Sequence, residues 1–517
     1  MRDFIYKKLL PFLILFQPVI DIITSYMTLH DMNITIGVVI KVLILFLANI
    51  YLLFVDKEKR KFNIIFLIFI SIFASLNIYN NLDVIKVFTF SYFNYLFKYI
   101  YHLVILYFFI RWYKNYQINL YELRIPLIII VFTYLLSLIT NTAYLSYDVY
   151  RKGYSGWYSS ANELGNILAL LYPVTLYNAF HNKDGIKFDI VLVFFTSFCL
   201  MMIGTKVGLF GFYLVTVCYL ILRLFFIKKL KLDKGFFIML ALLIVSICFI
   251  SKMPTIYNIK LNIDEGKNNY LLSDRDKIFD ELKEYFEKSS SIEKLIGKSH
   301  YAINEKMNNI LIVEQDFFDI LFMYGIVGLL IIIIFYAIIY VHFIRSYLYH
   351  RKRGKYSKKY LCIIVAITIE LSIAFISGHS LLSPSVSTYL CLIIALSLNI
   401  NIKDSIKHKK SILVCREELE KLKIDNNKYD VYVLGKNDNY NCINEYSDKK
   451  YFKARLFQNK FLAYLLTRNQ KFDYCVYNGD SIFKMYYLYY TKAKMKYAIS
   501  KNKMLKNKIN IKKINEL

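Results

Sequence analysis

The feature that most constrains this chain is a series of apolar stretches, each about as long as a bilayer is thick. A helix crosses the hydrocarbon core with about 20 apolar residues, in a range of about 17 to 25. Twelve stretches fit this condition, at residues 9–28, 34–55, 62–79, 94–111, 125–141, 162–180, 188–204, 206–228, 235–253, 317–344, 360–377 and 385–401. The pattern predicts an all-α polytopic membrane protein with about 12 transmembrane helices.

The composition agrees with a membrane protein. Of the 517 residues 57% are hydrophobic, and only 17 are Gly and 6 are Pro. The formal charge of +28 raises the question of nucleic-acid binding. Most basic residues, however, lie in short loops between the apolar stretches or in the C-terminal tail, so no extended basic groove is available. We therefore predict no nucleic-acid partner.

The charges of the loops predict how the helices are oriented. Cytoplasmic loops of membrane proteins carry an excess of Lys and Arg. The basic loops fall on the side of the basic N-terminus, at residues 56–61, 111–124, 181–187, 228–234 and 345–359. With twelve spans, both termini of this plasma-membrane protein are then cytoplasmic, and a large loop at residues 251–316 is extracytoplasmic.

The C-terminal part of the chain has a different character. After a membrane domain at residues 1–402, hydropathy falls in residues 403–517, and short β-like runs alternate with helical patterns. This alternation favours a small cytoplasmic α/β domain with parallel strands. Gly435 and Gly479 end two of the strands, where open α/β sheets bind nucleotide-type ligands, but no glycine-rich nucleotide motif accompanies them. We interpret this domain as accessory.

Several polar residues lie in the predicted outer loops. RKGYSGWYSSANELGN contains Arg151, Asn162 and Glu163, which suit either an aromatic interfacial belt with a capped helix or contacts with a substrate. Lys206, in a short turn between two spans, either snorkels to the interface or binds a phosphate there. His379, in SGHSLLSP, is either a structural hydrogen-bond donor or a site residue.

The large loop adds a cation and a group of acids. Arg275 has the planar donor fork that suits phosphate oxygens, although its acidic neighbours also suit a surface ion pair. Glu314 and Asp316 precede an apolar helix, where they either complement the helix dipole or serve, when desolvated, as a general base. Asp319 shares a helical face with Asp316 and either orients the base or caps a packed interface. No metal or cofactor is predicted.

The order of these motifs resembles the O-antigen ligase and Wzy-type polymerase superfamily, in its Gram-positive branch. The motifs are QPVIDIITSYM, ANELGNILALLYP, MIGTKVGLFGF, SDRD, an acid-bearing helix that ends in YGIVG, and GHSLLSP. The resemblance covers approximately residues 10 to 400. It implies a GT-C-like membrane fold and a metal-independent glycosyltransferase. The enzyme would transfer glycan from undecaprenyl diphosphate to a sugar hydroxyl at the outer face of the membrane.

The resemblance also implies roles for the site residues. Lys206 and Arg275 would hold the diphosphate. The glycan or headgroup would be oriented by Arg151, Asn162, Glu163 and His379. Related ligases have a histidine where this chain has Glu314 and Asp316, so one of these carboxylates is the expected base, and a capsular polysaccharide polymerase is favoured over a ligase. Without paired-carboxylate geometry, single displacement inverts the anomeric configuration.

The same resemblance implies the partners of the protein. The expected partners are the undecaprenyl diphosphate-linked glycan, an acceptor glycan, membrane lipids and other polysaccharide assembly proteins. The C-terminal domain resembles the N-terminal half of a GT-B glycosyltransferase. A flippase for lipid-linked oligosaccharide is the alternative. Carriers, however, place charged residues at the membrane midplane and often have two matching halves. In this chain the midplane is nearly uncharged, with Lys41 as the main exception, and the halves do not match. A structural assembly subunit has no need of the outer cations and acids.

Overall fold

The computed structural model describes most of the membrane part and the strands that follow it. The described residues are 2–32, 35–116, 118–147, 150–181, 186–225, 234–264, 275–304, 307–352, 358–406, 410–415, 429–434, 450–451, 472–478 and 493–499. The chain divides into two compact units, residues 1–401 and 402–517. Each unit is described by itself below.

The first unit is built from helices and two small hairpins. The helices up to the first hairpin are α1 (Arg2–Leu15), α2 (Gln17–Leu29), α3 (Ile36–Val55), α4 (Lys57–Asn80), α5 (Leu82–Trp112) and α6 (Leu120–Ile139). Those that follow are α7 (Ala161–His181), α8 (Ile186–Met202), α9 (Lys206–Phe225), α10 (Lys234–Cys248), α11 (Pro254–Asp264), α12 (Arg275–Lys288), α13 (Ser291–Ile296), α14 (Asp316–Lys352), α15 (Lys358–Ile376) and α16 (Pro384–Ile406). The antiparallel hairpins pair β1 (Tyr144–Leu145) with β2 (Tyr154–Gly156) and β3 (Tyr301–Asn304) with β4 (Met307–Ile310).

The helices identify a multi-pass membrane protein. Among the described residues, five helices are long and apolar enough to cross a membrane, and a sixth span is obtained if α1 and α2, bent by 54°, count as one. Five further apolar helices are shorter, within α8, α9, α10, α15 and α16. Each of the twelve predicted stretches overlaps one of the helices. The number of twelve spans remains a prediction.

Polar side chains join the helices inside the bundle. His102 of α5 has its Nδ1 2.7 Å from Ser387 Oγ of α16 and its Nε2 3.2 Å from Tyr336 OH of α14. Next to it, Tyr101 and Thr388 share a hydrogen bond of 2.8 Å. Hydrogen bonds between membrane helices satisfy polar groups that lipid cannot, so these pairs hold α5, α14 and α16 together.

The predicted apolar stretch at residues 317–344 lies within α14, which is broken at Gly325, in the motif YGIVG, and continues beyond the break to Lys352. Gly325 has a φ of 68°, and a Cβ on it would lie 2.4 Å from the carbonyl oxygen of Leu295. Glycine alone fits this close approach without strain. The glycine therefore marks both the break in α14 and the place where the loop packs against it.

The described parts of the large loop fold over the helices. Asn77 of α4 donates to the carbonyl oxygens of Ile296, at 2.8 Å, and Met323, at 3.0 Å. Lys298 pairs with Asp83 of α5 at 2.6 Å. These contacts tie α13 to α4, α5 and α14, so this part of the loop is anchored to the bundle.

In the second unit, five strands form one parallel sheet. They are β5 (Lys410–Cys415), β6 (Tyr429–Leu434), β7 (Lys450–Tyr451), β8 (Phe472–Asn478) and β9 (Ala493–Ile499), in the spatial order β7-β6-β5-β8-β9. Parallel strands need crossover connections, and the α/β character of this unit remains a prediction. The connections, with Gly435 and Gly479, lie outside the described residues.

Candidate functional site

An open cavity of about 210 Å³ lies where α7 and α9 begin. Its lining residues come from five separate stretches of the chain: Tyr147, Arg151, Asn162, Gly204, Lys206, Thr255, Asn258, Ile259, Asn262, Arg275 and Glu314. Three of these residues are cations and one is a carboxylate. Because converging cations in a confined space attract negative charge, the cavity suits an anionic ligand.

Helix α11 holds two of the cation-bearing segments in place. Asn258 accepts a hydrogen bond from the Lys152 backbone N–H at 2.8 Å and donates to the carbonyl oxygens of Lys152, at 2.7 Å, and Gly204, at 3.2 Å. One turn away, Thr255 donates to the Thr205 carbonyl oxygen at 3.2 Å. The backbone on either side of the cavity is thereby fixed, which positions the neighbouring cations.

Arg151 is positioned by two further contacts. Its guanidinium donates to Asn262 Oδ1 of α11 at 3.1 Å and lies 5.3 Å from the ring centre of Tyr147. Stacking on an aromatic face suits the flat guanidinium and leaves its edge free for hydrogen bonds. The edge of Arg151 therefore contributes to the cavity wall.

Arg275 and Glu314 form an ion pair inside the cavity. An Nη of Arg275 donates to Glu314 Oε2 at 2.7 Å, and the side chains are 16% and 43% exposed, respectively. Arg275 begins α12, so this helix delivers the cation to the same wall from which Glu314 projects. The ion pair thus joins Arg275, which is expected to bind phosphate, to Glu314, which is one of the expected bases.

The backbone of Glu314 is held in an unusual conformation. Its φ is 61°, in the left-handed region that residues other than glycine rarely adopt. Asp319, one turn into α14, accepts hydrogen bonds from the backbone N–H groups on both sides, Val313 at 2.6 Å and Gln315 at 3.1 Å. Asp319 thus holds the backbone on both sides of the strained residue Glu314.

Asp316 organises the loop that carries His379. Its carboxylate accepts three backbone N–H groups, from His379 at 3.0 Å, Ser380 at 2.8 Å and Leu381 at 2.6 Å. The side chain is buried, and it is not among the residues that line the cavity. Both oxygens of Asp316 are thus occupied by backbone N–H groups, whereas Glu314 lines the cavity.

The other side of this loop is held by Asn166 of α7. Its amide donates to the carbonyl oxygens of Gly378, at 3.1 Å, and His379, at 2.9 Å. His379 has a φ of 60° and its Nε2 lies 3.8 Å from Glu314 Oε2. Strained residues persist where the surroundings over-determine them, and they concentrate at functional sites. Here two of them, Glu314 and His379, face each other.

The neighbouring charges shift the pKa values of Glu314 and His379. The neighbouring imidazole of His379 lowers the pKa of Glu314, partial burial opposes this, and the hydrogen bond from Arg275 lowers it further, from 4.5 to about 2. Burial would lower the pKa of His379, but Glu314 and the charge of Glu163 outweigh it and raise this pKa above 6.5. Glu314 is therefore ionised at neutral pH, and the raised pKa makes His379 easier to protonate than a free histidine.

A comparison with known families places the chain. The family described as O-antigen ligase like membrane protein matches residues 3–269 and 257–405, two overlapping segments that together span most of the sequence. The chain belongs to this family. Membership indicates a glycosyl-transferring membrane protein of polysaccharide assembly that acts on lipid-linked glycan. No curated protein matches the chain.

In this O-antigen ligase like protein, the structure brings together five of the eight residues proposed from sequence, and they line one cavity: Arg151, Asn162, Lys206, Arg275 and Glu314. The other three are not among the lining residues: Asp316, Glu163 and His379. His379 nevertheless approaches Glu314, and Asp316 holds the backbone of His379. Within the described residues no cluster of three or more His, Cys, Asp or Glu side chains is placed to hold a metal ion.

Sequence reasoning missed the residues that support the site of this O-antigen ligase like protein. Thr255, Asn258 and Asn262 are spaced by three and four, so they share one face of a helix. This polar stripe is visible in the sequence and is the signal that was available. Asn166 gave no such signal, because an amide near the start of an apolar helix has many ordinary explanations.

Proposed function

We propose that this protein is a membrane glycosyltransferase that polymerises or transfers undecaprenyl diphosphate-linked oligosaccharide to a sugar hydroxyl. The observation that supports it is one cavity whose lining includes Arg151, Lys206 and Arg275 together with the carboxylate of Glu314. A glycosyl transfer that releases diphosphate needs cations for the leaving group and a base for the acceptor. Family membership supplies the glycan chemistry, and the cavity holds groups suited to both tasks.

The cations act on the leaving group. As the bond between the anomeric carbon and the diphosphate oxygen breaks, its electrons stay with the diphosphate, whose negative charge grows. Lys206, Arg275 and Arg151 converge where that charge develops, and preorganised cations stabilise it without reorganisation. In this proposal Asn162, on the opposite wall, orients the glycan.

Glu314 acts on the acceptor. Its ionised carboxylate takes the proton of the attacking sugar hydroxyl while the hydroxyl oxygen forms the new bond to the anomeric carbon. In the structure Arg275 pairs with this carboxylate and keeps the pKa of Glu314 low. A bound diphosphate competes for Arg275, which weakens this pairing and makes Glu314 a better base when donor is present. The direct displacement inverts the anomeric configuration.

The cavity belongs to the outer face of the plasma membrane, with both termini in the cytoplasm, as the loop charges predict. The reaction proceeds without a metal. The C-terminal unit is an accessory domain, and polymerisation of a capsular or other cell-surface polysaccharide is favoured over ligation because an acid replaces the ligase histidine.

The test is a transfer assay with purified protein in nanodiscs and lipid-linked oligosaccharide extracted from cells that lack this protein. Glu314→Gln should lower turnover by about 10² to 10⁴-fold, and Arg275→Ala by about 10² to 10³-fold. Asp316→Asn should chiefly lower thermal stability, because Asp316 accepts three backbone N–H groups.

The matched control for this assay is Glu287→Gln. Glu287 lies on α12 and its side chain is 66% exposed. It should turn over like the wild type. Wild-type turnover by folded Glu314→Gln and Arg275→Ala proteins together would refute the proposed site.

A further inference from the structure

His379 lies close to the proposed base but is not among the residues that line the cavity. Its Nε2 is 3.8 Å from Glu314 Oε2. Arg275 reaches the same oxygen, at 2.7 Å, and does line the cavity. Two groups therefore approach one carboxylate oxygen, Arg275 from the cavity and His379 from outside its lining.

The backbone of His379 is held on both sides. Its N–H donates to Asp316 Oδ1 at 3.0 Å, and its carbonyl oxygen accepts from the amide of Asn166 at 2.9 Å. Its φ of 60° lies in a region that Asn, Asp and His enter more readily than other residues with a side chain. Because the backbone is fixed, the imidazole has a defined position relative to Glu314, as a group that binds substrate requires.

The two side chains are also accessible. That of His379 is 29% exposed and that of Glu314 is 43% exposed, so a substrate reaches both. The negative charge of Glu314 favours a hydrogen on the nitrogen that faces it. The pair then presents a donor, Nε2–H, beside an acceptor, the carboxylate oxygen. A donor and an acceptor side by side match two hydroxyl groups, since a hydroxyl both donates and accepts.

The distance between the two atoms suits one sugar ring. Hydrogen bonds to hydroxyl groups span about 2.7 to 3.2 Å. At 3.8 Å the imidazole nitrogen and the carboxylate oxygen are too far apart to bond well to each other. Two neighbouring hydroxyl groups of one sugar ring fit side by side against them, and they displace no strong contact between His379 and Glu314.

The direction of attack favours the same side of Glu314. In a direct displacement the acceptor oxygen approaches the anomeric carbon from the side opposite the leaving group. The cations proposed to hold the diphosphate line the cavity, and Arg275 binds Glu314 from there. The acceptor hydroxyl therefore belongs on the other side of the carboxylate, where His379 lies.

We propose that Glu314 and His379 bind two neighbouring hydroxyl groups of the acceptor sugar. The first hydroxyl gives its proton to Glu314 Oε2, and its oxygen forms the bond to the anomeric carbon while the bond to the diphosphate oxygen breaks and leaves its electrons there. The second hydroxyl accepts a hydrogen bond from His379 Nε2 and does not react. The acceptor is thus a sugar with vicinal hydroxyl groups. This inference rests on the proposed glycosyl transfer.

The experiment measures the KM for acceptor and for donor separately, with purified full-length protein in nanodiscs. The donor is the lipid-linked oligosaccharide, and the acceptors are labelled copies of it whose terminal sugar, at the non-reducing end, is intact or lacks one hydroxyl. Removal of the attacking hydroxyl abolishes transfer and so identifies it. Removal of its neighbour should raise the KM of the wild type for acceptor about tenfold or more, because the donor of His379 is left unpaired.

His379→Asn removes the contact and keeps the backbone conformation, since Asn tolerates a positive φ but has a shorter side chain. With the intact acceptor its KM for acceptor should rise about tenfold or more, while its KM for donor stays unchanged. Loss of the neighbouring hydroxyl should then add less than about twofold, because the two changes remove the same contact. The matched control is His300→Asn, whose imidazole stacks on Tyr285 in the large loop and which should behave like the wild type.

Two results would overturn the inference. One is an unchanged KM for acceptor in His379→Asn, or in His379→Gly if the Asn variant does not fold, since glycine also accepts this φ. The other is a missing hydroxyl that raises the KM of the variant and of the wild type by the same factor, because independent effects multiply.

The two proposals fail in different ways. Unchanged turnover in Glu314→Gln would refute the proposed function. Turnover that depends on Glu314, together with a KM for acceptor that does not depend on His379, overturns the diol contact alone.

Discussion

Gly378 packs against the backbone of Glu314, and a substitution of this glycine tests whether the position of Glu314 matters. Gly378 has a φ of +66°, and a Cβ on it would lie 2.5 Å from the carbonyl oxygen and 2.7 Å from the carbonyl carbon of Glu314. Ordinary contact begins at 3.4 Å. In Gly378→Ala the peptide of Glu314 therefore has to move by about 0.9 Å, since close-packed interiors leave no room for the methyl group.

The expected effect has two parts. Alanine in the left-handed region costs about 1–2 kcal/mol of stability. A displacement of about 1 Å at the base lowers turnover by about 10²-fold, because the carboxylate no longer meets the acceptor hydroxyl in line. The assay is transfer of lipid-linked oligosaccharide by purified Gly378→Ala protein, with thermal unfolding measured in parallel.

Gly156→Ala separates these two effects. Gly156 has the same φ of +66°, but its nearest atom is a side-chain carbon of Tyr134, at 3.0 Å, and it is not among the cavity-lining residues. Gly156→Ala should lose less stability than Gly378→Ala, because Gly378→Ala adds a backbone clash to the same conformational strain. Gly156→Ala should also keep turnover within about twofold of the wild type, as independent sites do. Equal turnover in the two variants would show that the position of the Glu314 backbone does not matter.

Two more outcomes follow from the site. Because the pKa of Glu314 is lowered on folding, its charge stabilises the folded protein fully above pH 4.5, and this stabilisation is lost as pH falls towards 2. Because the pKa of His379 is raised on folding, its charge stabilises the folded protein fully below pH 6.5, and this stabilisation is lost as pH rises. Glu314→Gln should therefore lower the free energy of unfolding most between pH 4.5 and 6.5, by at most about 1 kcal/mol because solvent screens the pair. A difference in thermal unfolding between the variant and the wild type that does not change with pH contradicts this. Asn258→Ala removes three hydrogen bonds to the segments beside Arg151 and Lys206, so the KM for donor should rise about tenfold or more. The exposed Asn309→Ala is its control, and equal KM values in the two variants would contradict the positioning role of α11.

The helices were predictable because the signal for a membrane helix is local. Each predicted stretch overlaps a described helix, since apolar length and the need to satisfy the backbone act on consecutive residues. The motif YGIVG marks a break in α14, at Gly325, after which the chain continues as a helix to Lys352. The contact with Leu295 that requires glycine there comes from a distant part of the chain, so the sequence pattern did not show it.

The roles of the three acids were not predictable from their spacing. Glu314, Asp316 and Asp319 stand within six residues, and all three suit a helix start. In the structure Asp316 binds the backbone at His379, Asp319 binds the backbone around Glu314, and Glu314 alone lines the cavity. The backbone groups that Asp316 binds lie more than sixty residues away along the chain, and Arg275, which pairs with Glu314, lies 39 residues away.

The sequence by itself determined the class of the protein, the places of its apolar helices and a short list of charged residues, because hydropathy and charge are properties of the residues themselves. The tertiary structure decided which of those residues meet. Arg151, Lys206, Arg275 and Glu314 are spread over more than 160 positions and share one cavity because α11 and α12 fold back over the bundle. Their convergence depends on packing between distant segments, and no local pattern encodes it.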